Sequence, residues 1–327
     1  MERRNGEYSR VKLIGIAKLA AQSALLDAKS KVEYRELESR RWIGRCSGER
    51  APFQWTINPY RGCEFACRYC FARYTHEFMD LSPGEDFETR IFAKRWSASA
   101  FASELRRIPP GDAIGVGTAT DPYQPAERRY GLTRRMLEVI ASDYGHRISL
   151  ITKSDLVARD ADVIADVNRR NRMEVFVTVT TMDRDLARLL EPKAPRPDLR
   201  MAAVRALAEE GLRVGVTASP VLPGLNDSME SLEAVAEAAR EAGAKRFNAG
   251  VLFLKPASAG VFFEFLERAF PELLPRYRDL YHDRAFLRGD FPETIRRRVA
   301  ELRRRYRFET DTPAWAPEHP QLPLFAA

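Results

Sequence analysis

NPYRGCEFACRYCFAR, residues 58–73, carries Cys63, Cys67 and Cys70 in a C-x3-C-x2-C spacing. A loop this tight can hold three irons of a [4Fe-4S] cluster and leave the fourth iron open to a substrate or cofactor. The spacing therefore points to chemistry rather than to a structural clip. Zinc is the alternative the residues leave open: it takes four ligands, so Cys46 or His76 would have to complete the set. A disulfide suits the pattern poorly, because three neighbouring thiols cannot all pair and nothing in the chain suggests secretion.

Outward from the loop, strand-like and helix-like runs alternate. QWTINPY (54–60) reads as a first strand running into the cysteines. AIGVGT (113–118), RISLIT (147–152), EVFVTVT (174–180), LRVGVTA (212–218) and RFNAGVLFL (246–254) read as five more, the fourth strand being densest in β-branched residues. Apolar residues at three- and four-residue intervals mark helices over 132–142, 156–168, 200–210 and 229–242, with Ser228 as an N-cap. Alternation of this kind implies parallel pairing with right-handed crossovers. Six units are too few for a closed eight-stranded barrel, so the expected fold is α/β, a partial (β/α)6 barrel. Chemistry should gather on the loops after the strand C-termini.

Those strand ends carry polar groups: Thr118, Thr120 and Asp121 after the second strand, Lys153 after the third, Thr178 and Thr180 on the fourth, and Ser219 after the fifth. A lysine inside a barrel needs an anionic partner, which gives Lys153 the strongest individual case for holding a cofactor. A threonine at a strand end is by itself an ordinary strand former.

In order along the chain come the cysteine loop with Tyr69 just before its third cysteine, GTATDPYQPAE (117–127), ITKS (151–154), EPKAPRP (191–197) and SPVLPGLND (219–227). This set resembles the radical S-adenosylmethionine (SAM) proteins related to spore photoproduct lyase, often labelled DNA repair photolyases. The resemblance implies a radical SAM barrel in which Cys63, Cys67 and Cys70 bind the cluster and carry catalysis. It also implies SAM as cosubstrate, cleaved to a 5′-deoxyadenosyl radical, and a reducing partner such as flavodoxin or ferredoxin. Thr120 matches a hydroxyl residue that contacts SAM, and Lys153 matches the SAM-binding lysine. Tyr69, Thr118, Asp121, Thr178, Thr180 and Ser219 are the further cofactor-contact candidates. Two positions depart from the lyase pattern. Thr118 stands where the lyase has its hydrogen-donor cysteine, and Phe71 where it has a tyrosine. The lyase route to splitting thymine photoproducts is therefore not expected; Cys46 is either a substitute donor or a small apolar residue near the barrel base.

The chain has 327 residues, 45% hydrophobic and 30% charged, and a net charge of +7. With no long apolar run and no signal-peptide pattern, a cytoplasmic protein without a membrane span is expected. Residues 1–50 read as a basic, partly helical extension, 51–270 as the barrel, 271–309 as a basic helical segment and 310–327 as a proline-rich tail. The triplets Arg296–Arg298 and Arg303–Arg305 read as a phosphate-contacting surface or as a solvated helix face. In the tail, Gln321, Leu322, Leu324 and Phe325 form QLPLF, similar to peptides that dock into the bacterial sliding clamp. The leading expectation is a radical SAM enzyme acting on nucleic acid, in DNA repair or base modification. The alternatives are the same chemistry on a peptide or small molecule, and a non-catalytic DNA- or clamp-binding module with a structural metal.

Overall fold

A computed structural model describes residues 13–29, 31–39, 41–46 and 52–310. Six parallel strands form the centre: β1 (Trp55–Ile57), β2 (Ala113–Val116), β3 (Arg147–Thr152), β4 (Arg172–Thr178), β5 (Val214–Val221) and β6 (Arg246–Val251). They pair in sequence order, and the short strand Ile43–Arg45 runs antiparallel along the outer edge of β1. The sheet is open, because no described residues pair β6 with that edge.

Alternation along β3 shows why the sheet has two lined faces. Ile148 and Leu150 are buried in the main core, whereas Arg147, Ser149 and Ile151 line the barrel interior and are more exposed. The outer layer consists of α1 (Ala98–Leu105), α2 (Leu132–Ala141), α3 (Ala161–Asn168), α4 (Pro197–Glu209) and α5 (Met229–Glu241). Ser97 and Ser228 cap α1 and α5 by accepting from the backbone N–H groups of Ala100 and Ser231. Two further helices follow β6. α6 (Pro256–Ala269) folds over the cysteine loop, and α7 (Asp290–Arg305) packs Ile295, Val299 and Leu302 into the main core beside β6 and α5. Each such side chain removed from water stabilises the fold by about 1.5–3 kcal/mol.

The N-terminal segment differs from its expected, partly helical form. Its one described helix, Gly15–Ala21, is followed by Ala24–Lys29 and Val32–Leu37, which build a second sheet with Arg90–Lys94 and Tyr60–Arg61. Tyr34 and Leu37, the two buried residues of Val32–Leu37, stand three apart and so mimic a helix face in the sequence. The first barrel strand is likewise shorter than QWTINPY suggests. Pro59 has no N–H to give a ladder, and after it the chain leaves β1 and pairs Tyr60 and Arg61 with Ala93 and Phe92. This change of sheet delivers the cysteine loop to the C-terminal mouth of the barrel.

Among the described residues, no helix is long and apolar enough to cross a membrane. QLPLF, with Gln321, Leu322, Leu324 and Phe325, lies outside the described residues.

Candidate active site

Gly62 opens the cysteine loop at φ +80°; a Cβ there would lie 3.0 Å from the carbonyls of Phe87 and Arg90, so only glycine fits without displacing backbone. Its own carbonyl accepts from Thr120 Oγ1 at 2.6 Å and from Gln124 Nε2 at 3.0 Å, and Gln124 Oε1 accepts from the Glu64 N–H. Farther along, the Arg68 N–H donates to the Leu190 carbonyl at 2.9 Å. Arg73, wholly buried, donates to the Cys67 carbonyl and to Glu88, Pro83 and Gly84. The loop is thus held at both ends and in the middle by groups other than metal.

Cys63, Cys67 and Cys70 line one wall of a cavity of about 150 Å³, facing Thr118, Thr120, Asp121, Lys153 and Thr178. That is smaller than the about 300–1,000 Å³ that small-molecule pockets usually span. Burial, with Asp121 and the two neighbouring thiols, raises the Cys63 pKa well above its usual value. Cys67 is pushed up to about 12 by burial, against the pull of Lys153, and Cys70 is raised by burial as well. Three such thiols resist ionisation in an apolar wall, and a cationic metal group reverses that preference.

Among the described residues, Lys153 is the one cation facing the thiols across this cavity. Burial opposes its charge, but Cys67 and Glu191 outweigh burial and hold its pKa above the ordinary lysine value. Among the described residues, its Nζ makes no hydrogen bond or ion pair; the Tyr69 ring centroid is 5.6 Å away. Asp121 fixes its backbone, accepting from the Lys153 N–H at 2.7 Å, from Thr152 Oγ1 at 2.6 Å and from the Tyr123 N–H at 2.9 Å. Thr118 is held by Asn58, whose Nδ2 donates to Thr118 Oγ1 and whose Oδ1 accepts from the Ala119 N–H.

Three of the candidate residues sit behind the cavity wall rather than on it. The Tyr69 hydroxyl donates to Glu191 and lies 3.1 Å from Thr180 Oγ1. Thr180 donates to Glu191 Oε1 at 2.6 Å and also reaches the Ser219 carbonyl. Ser219 takes part through that carbonyl. At the centre of the network lies Glu191, paired with Arg200 at 2.5 Å, both about 1% exposed. Burial works against the Glu191 carboxylate, but Arg200 and Lys153 hold its pKa below the usual range. Arg200 Nη1 then donates to the Thr178 carbonyl. Glu191 and Arg200 escaped the sequence reading, although Glu191 opens the EPKAPRP run; a carboxylate in a proline-rich loop carries no periodic signal of burial.

Neither zinc candidate completes a four-ligand site. Cys46 follows the edge strand paired with the start of β1, at the opposite end of the barrel, and its N–H donates to the Gln54 carbonyl. That position also removes it as a substitute hydrogen donor. His76 turns its Nε2 to the Arg90 carbonyl at 3.1 Å and packs between Phe87 and Phe92. Among the described residues, no three His, Cys, Asp or Glu side chains are gathered as closely as a single ion requires.

The model of the radical SAM superfamily matches residues 57–239. The chain belongs to the radical SAM superfamily. Its cofactors are a [4Fe-4S] cluster and SAM. An uncharacterised protein of Mycobacterium tuberculosis is 40% identical over 82% of this chain and 78% of its own length. One from Methanocaldococcus jannaschii is 28% identical over 61% of this chain and 71% of its own. Among solved structures, spore photoproduct lyase complexed with a dinucleoside spore photoproduct superposes with a TM-score of 0.64 at 15% identity, over 93% of this chain and 85% of the lyase. The lyase mutant with bound SAM and the dinucleoside gives the same TM-score and identity over 88% and 86%. At that identity the likeness shows the fold alone.

A larger cavity, about 510 Å³, opens at the N-terminal end of this radical SAM barrel between Phe53, Arg147, Arg172 and Glu174. No thiol lines it. The two arginine triplets of α7 do not form one surface. Arg298 donates to the Asp227 carbonyl, Arg303 to the Phe247 carbonyl, and Arg305 pairs with Glu233 and Glu301. Arg296, Arg297 and Arg304 remain exposed.

Proposed function

We propose that this protein is a radical SAM enzyme acting on nucleic acid, with Cys63, Cys67 and Cys70 as the cluster ligands. The observation that carries the assignment is the Lys153 ammonium, without a hydrogen bond or ion pair among the described residues, facing two buried thiols and a half-buried one across one cavity. When bound, the cluster and SAM supply one-electron cleavage of a sulfonium and abstraction of hydrogen from a C–H bond; the electron comes from a carrier of the flavodoxin or ferredoxin kind. Lys153 holds the methionyl carboxylate, and Asp121 keeps the lysine backbone in place. Thr118, Thr120 and Thr178 line the polar side of the SAM pocket. Tyr69, Thr180 and Ser219 act from behind it, tying the cysteine loop to β4 and β5 through Glu191.

A nucleic-acid substrate is supported by the shared fold with a lyase crystallised with a dinucleoside and by the exposed arginines of α7. Splitting of a thymine photoproduct by the lyase route is not proposed, because Thr118 and Phe71 replace the donor cysteine and the tyrosine. The test is anaerobic reconstitution with iron and sulfide, then incubation with SAM, dithionite and oligonucleotides. We expect 5′-deoxyadenosine to form and the mass of an oligonucleotide to change. Cys67→Ala should lose both cluster absorbance and SAM cleavage; a full iron complement in that variant would sink the ligand assignment.

A further inference from the structure

Behind the cavity wall the surface is basic. A small cleft there is lined by the buried Glu191–Arg200 pair and by Arg184, Arg188 and Arg196. Arg184 and Arg196 share one carboxylate, Asp198, at 3.6 and 3.0 Å. Arg188 donates to the Pro192 carbonyl at 2.7 Å. Among the described residues, Arg68, Arg188 and Lys193 form no ion pair. Two backbone bonds join this face to the cysteine loop: the Arg68 N–H donates to the Leu190 carbonyl at 2.9 Å, and the Lys193 N–H to the Phe65 carbonyl at 3.3 Å. Leu189 and Leu199, 45% and 41% exposed, follow Arg188 by one residue and Arg196 by three. Asp183 and Asp185, at the start of the helix Arg184–Leu190, line a different hollow, which Leu189 also borders.

Cations gathered around a single shared carboxylate favour an acidic partner. The cleft's position limits what that partner supplies. No residue lines both the cleft and the thiol cavity, so a molecule seated behind the wall does not reach the SAM pocket, whereas an electron can cross. The connection is direct: Glu191, in the cleft, accepts from the Tyr69 hydroxyl, and Tyr69 is bonded to Cys70. On another side the loop is covered by α6, where Ser258 donates to the Cys70 carbonyl at 2.8 Å. Electron-transfer encounters use small interfaces, and unpaired charges steer them.

We propose that Arg68, Arg188 and Lys193, flanked by Arg184 and Arg196, form the docking surface for the acidic protein that reduces the cluster. This rests on the radical SAM reading above and assigns the electron carrier its seat. In each encounter the carrier is oxidised by one electron and the cluster reduced by one, an outer-sphere step in which no bond forms or breaks.

Two measurements on the anaerobically reconstituted protein test it: calorimetric titration with a bacterial flavodoxin, and SAM cleavage driven either by that flavodoxin, reduced, or by dithionite. The wild type should bind flavodoxin, more weakly as salt rises. Lys193→Glu and Arg188→Glu should each weaken binding on the order of tenfold and raise the flavodoxin concentration for half-maximal 5′-deoxyadenosine formation by a similar factor. The dithionite-driven rate should not change, because a small reductant needs no seat, and Lys193→Arg should behave as the wild type. No flavodoxin binding by the wild type, or binding that survives both reversals and falls only when Arg296 and Arg297 are replaced by glutamate, overturns the docking surface and leaves the radical SAM reading standing. Equal losses of the flavodoxin- and dithionite-driven rates overturn it too, marking a structural role. No 5′-deoxyadenosine with either reductant in the wild type, with cluster absorbance intact, overturns both.

Discussion

Lys153 and Arg200 meet burial in opposite ways. Arg200 is paired with Glu191 and bonded to the carbonyls of Pro195 and Thr178, so its charge is spent within the fold. Among the described residues the Lys153 ammonium has no such partner, and its pKa is raised mainly by Cys67 and Glu191 against burial. A cation kept charged but uncommitted is suited to a ligand's anion. Lys153→Met should raise KM for SAM roughly ten- to hundredfold, as loss of a charged hydrogen bond does, while cluster absorbance is retained; unchanged SAM affinity would remove the residue from the pocket. Glu191→Gln should instead act on the fold. It leaves Arg200 buried without its counter-charge, at a cost of about 3 kcal/mol measured by urea denaturation.

At the scale of elements, the site depends on where strands end and how closely turns pack. Gly117 closes β2 at φ +85°, and a Cβ there would lie 2.5 Å from the Ile151 carbonyl and 2.6 Å from Pro122. Backbone on one side and a proline ring on the other cannot yield. Gly117→Ala should therefore cost roughly 3 kcal/mol or more and lower the melting temperature sharply. Gly111 has a similar φ of +88° but nothing within 4 Å of its Cβ position, so Gly111→Ala should cost only about 1–2 kcal/mol, the backbone term alone. Equal losses in the two variants would show that packing around Gly117 is looser than the structure indicates. The β2 turn presents Thr118 and Thr120 to the cysteine loop, so the same substitution should also weaken cluster assembly.

Across the whole molecule, His76 ties the stability of the cysteine-loop support to pH, beside His146, whose pKa burial lowers as well. His76 is wholly buried between Phe87 and Phe92, and burial lowers its pKa to about 4. Its unfolded value is near 6.5, so between those limits the unfolded chain binds a proton that the folded chain refuses. Stability is greatest above about pH 6.5 and falls as the pH drops toward 4, by about 3 kcal/mol from this residue. Denaturation of the wild type at pH 7 and pH 5, beside His76→Gln, checks it: the variant should show a shallower slope, and identical slopes would place the acid sensitivity elsewhere.

Spacing and local pattern pointed to a multi-iron cluster, the barrel and the polar strand ends, because three thiols in one loop and period-two apolar runs are properties of neighbouring residues; SAM followed from the order of motifs along the chain. Lys153, Asp121 and Thr118 could be picked out in this way, each standing just beyond a strand end. Only the tertiary structure decided that Tyr69, Thr180 and Ser219 sit behind the cavity wall, that Glu191 and Arg200 join them, and that Cys46 lies at the far end of β1. It also decided that Arg298, Arg303 and Arg305 of α7 are bonded to other segments and that Ala24–Lys29 and Val32–Leu37 form strands. Those facts depend on which distant segments meet: Tyr69 reaches Glu191 across 122 positions of sequence, and no local pattern of charge or hydrophobicity encodes a pairing between segments so far apart.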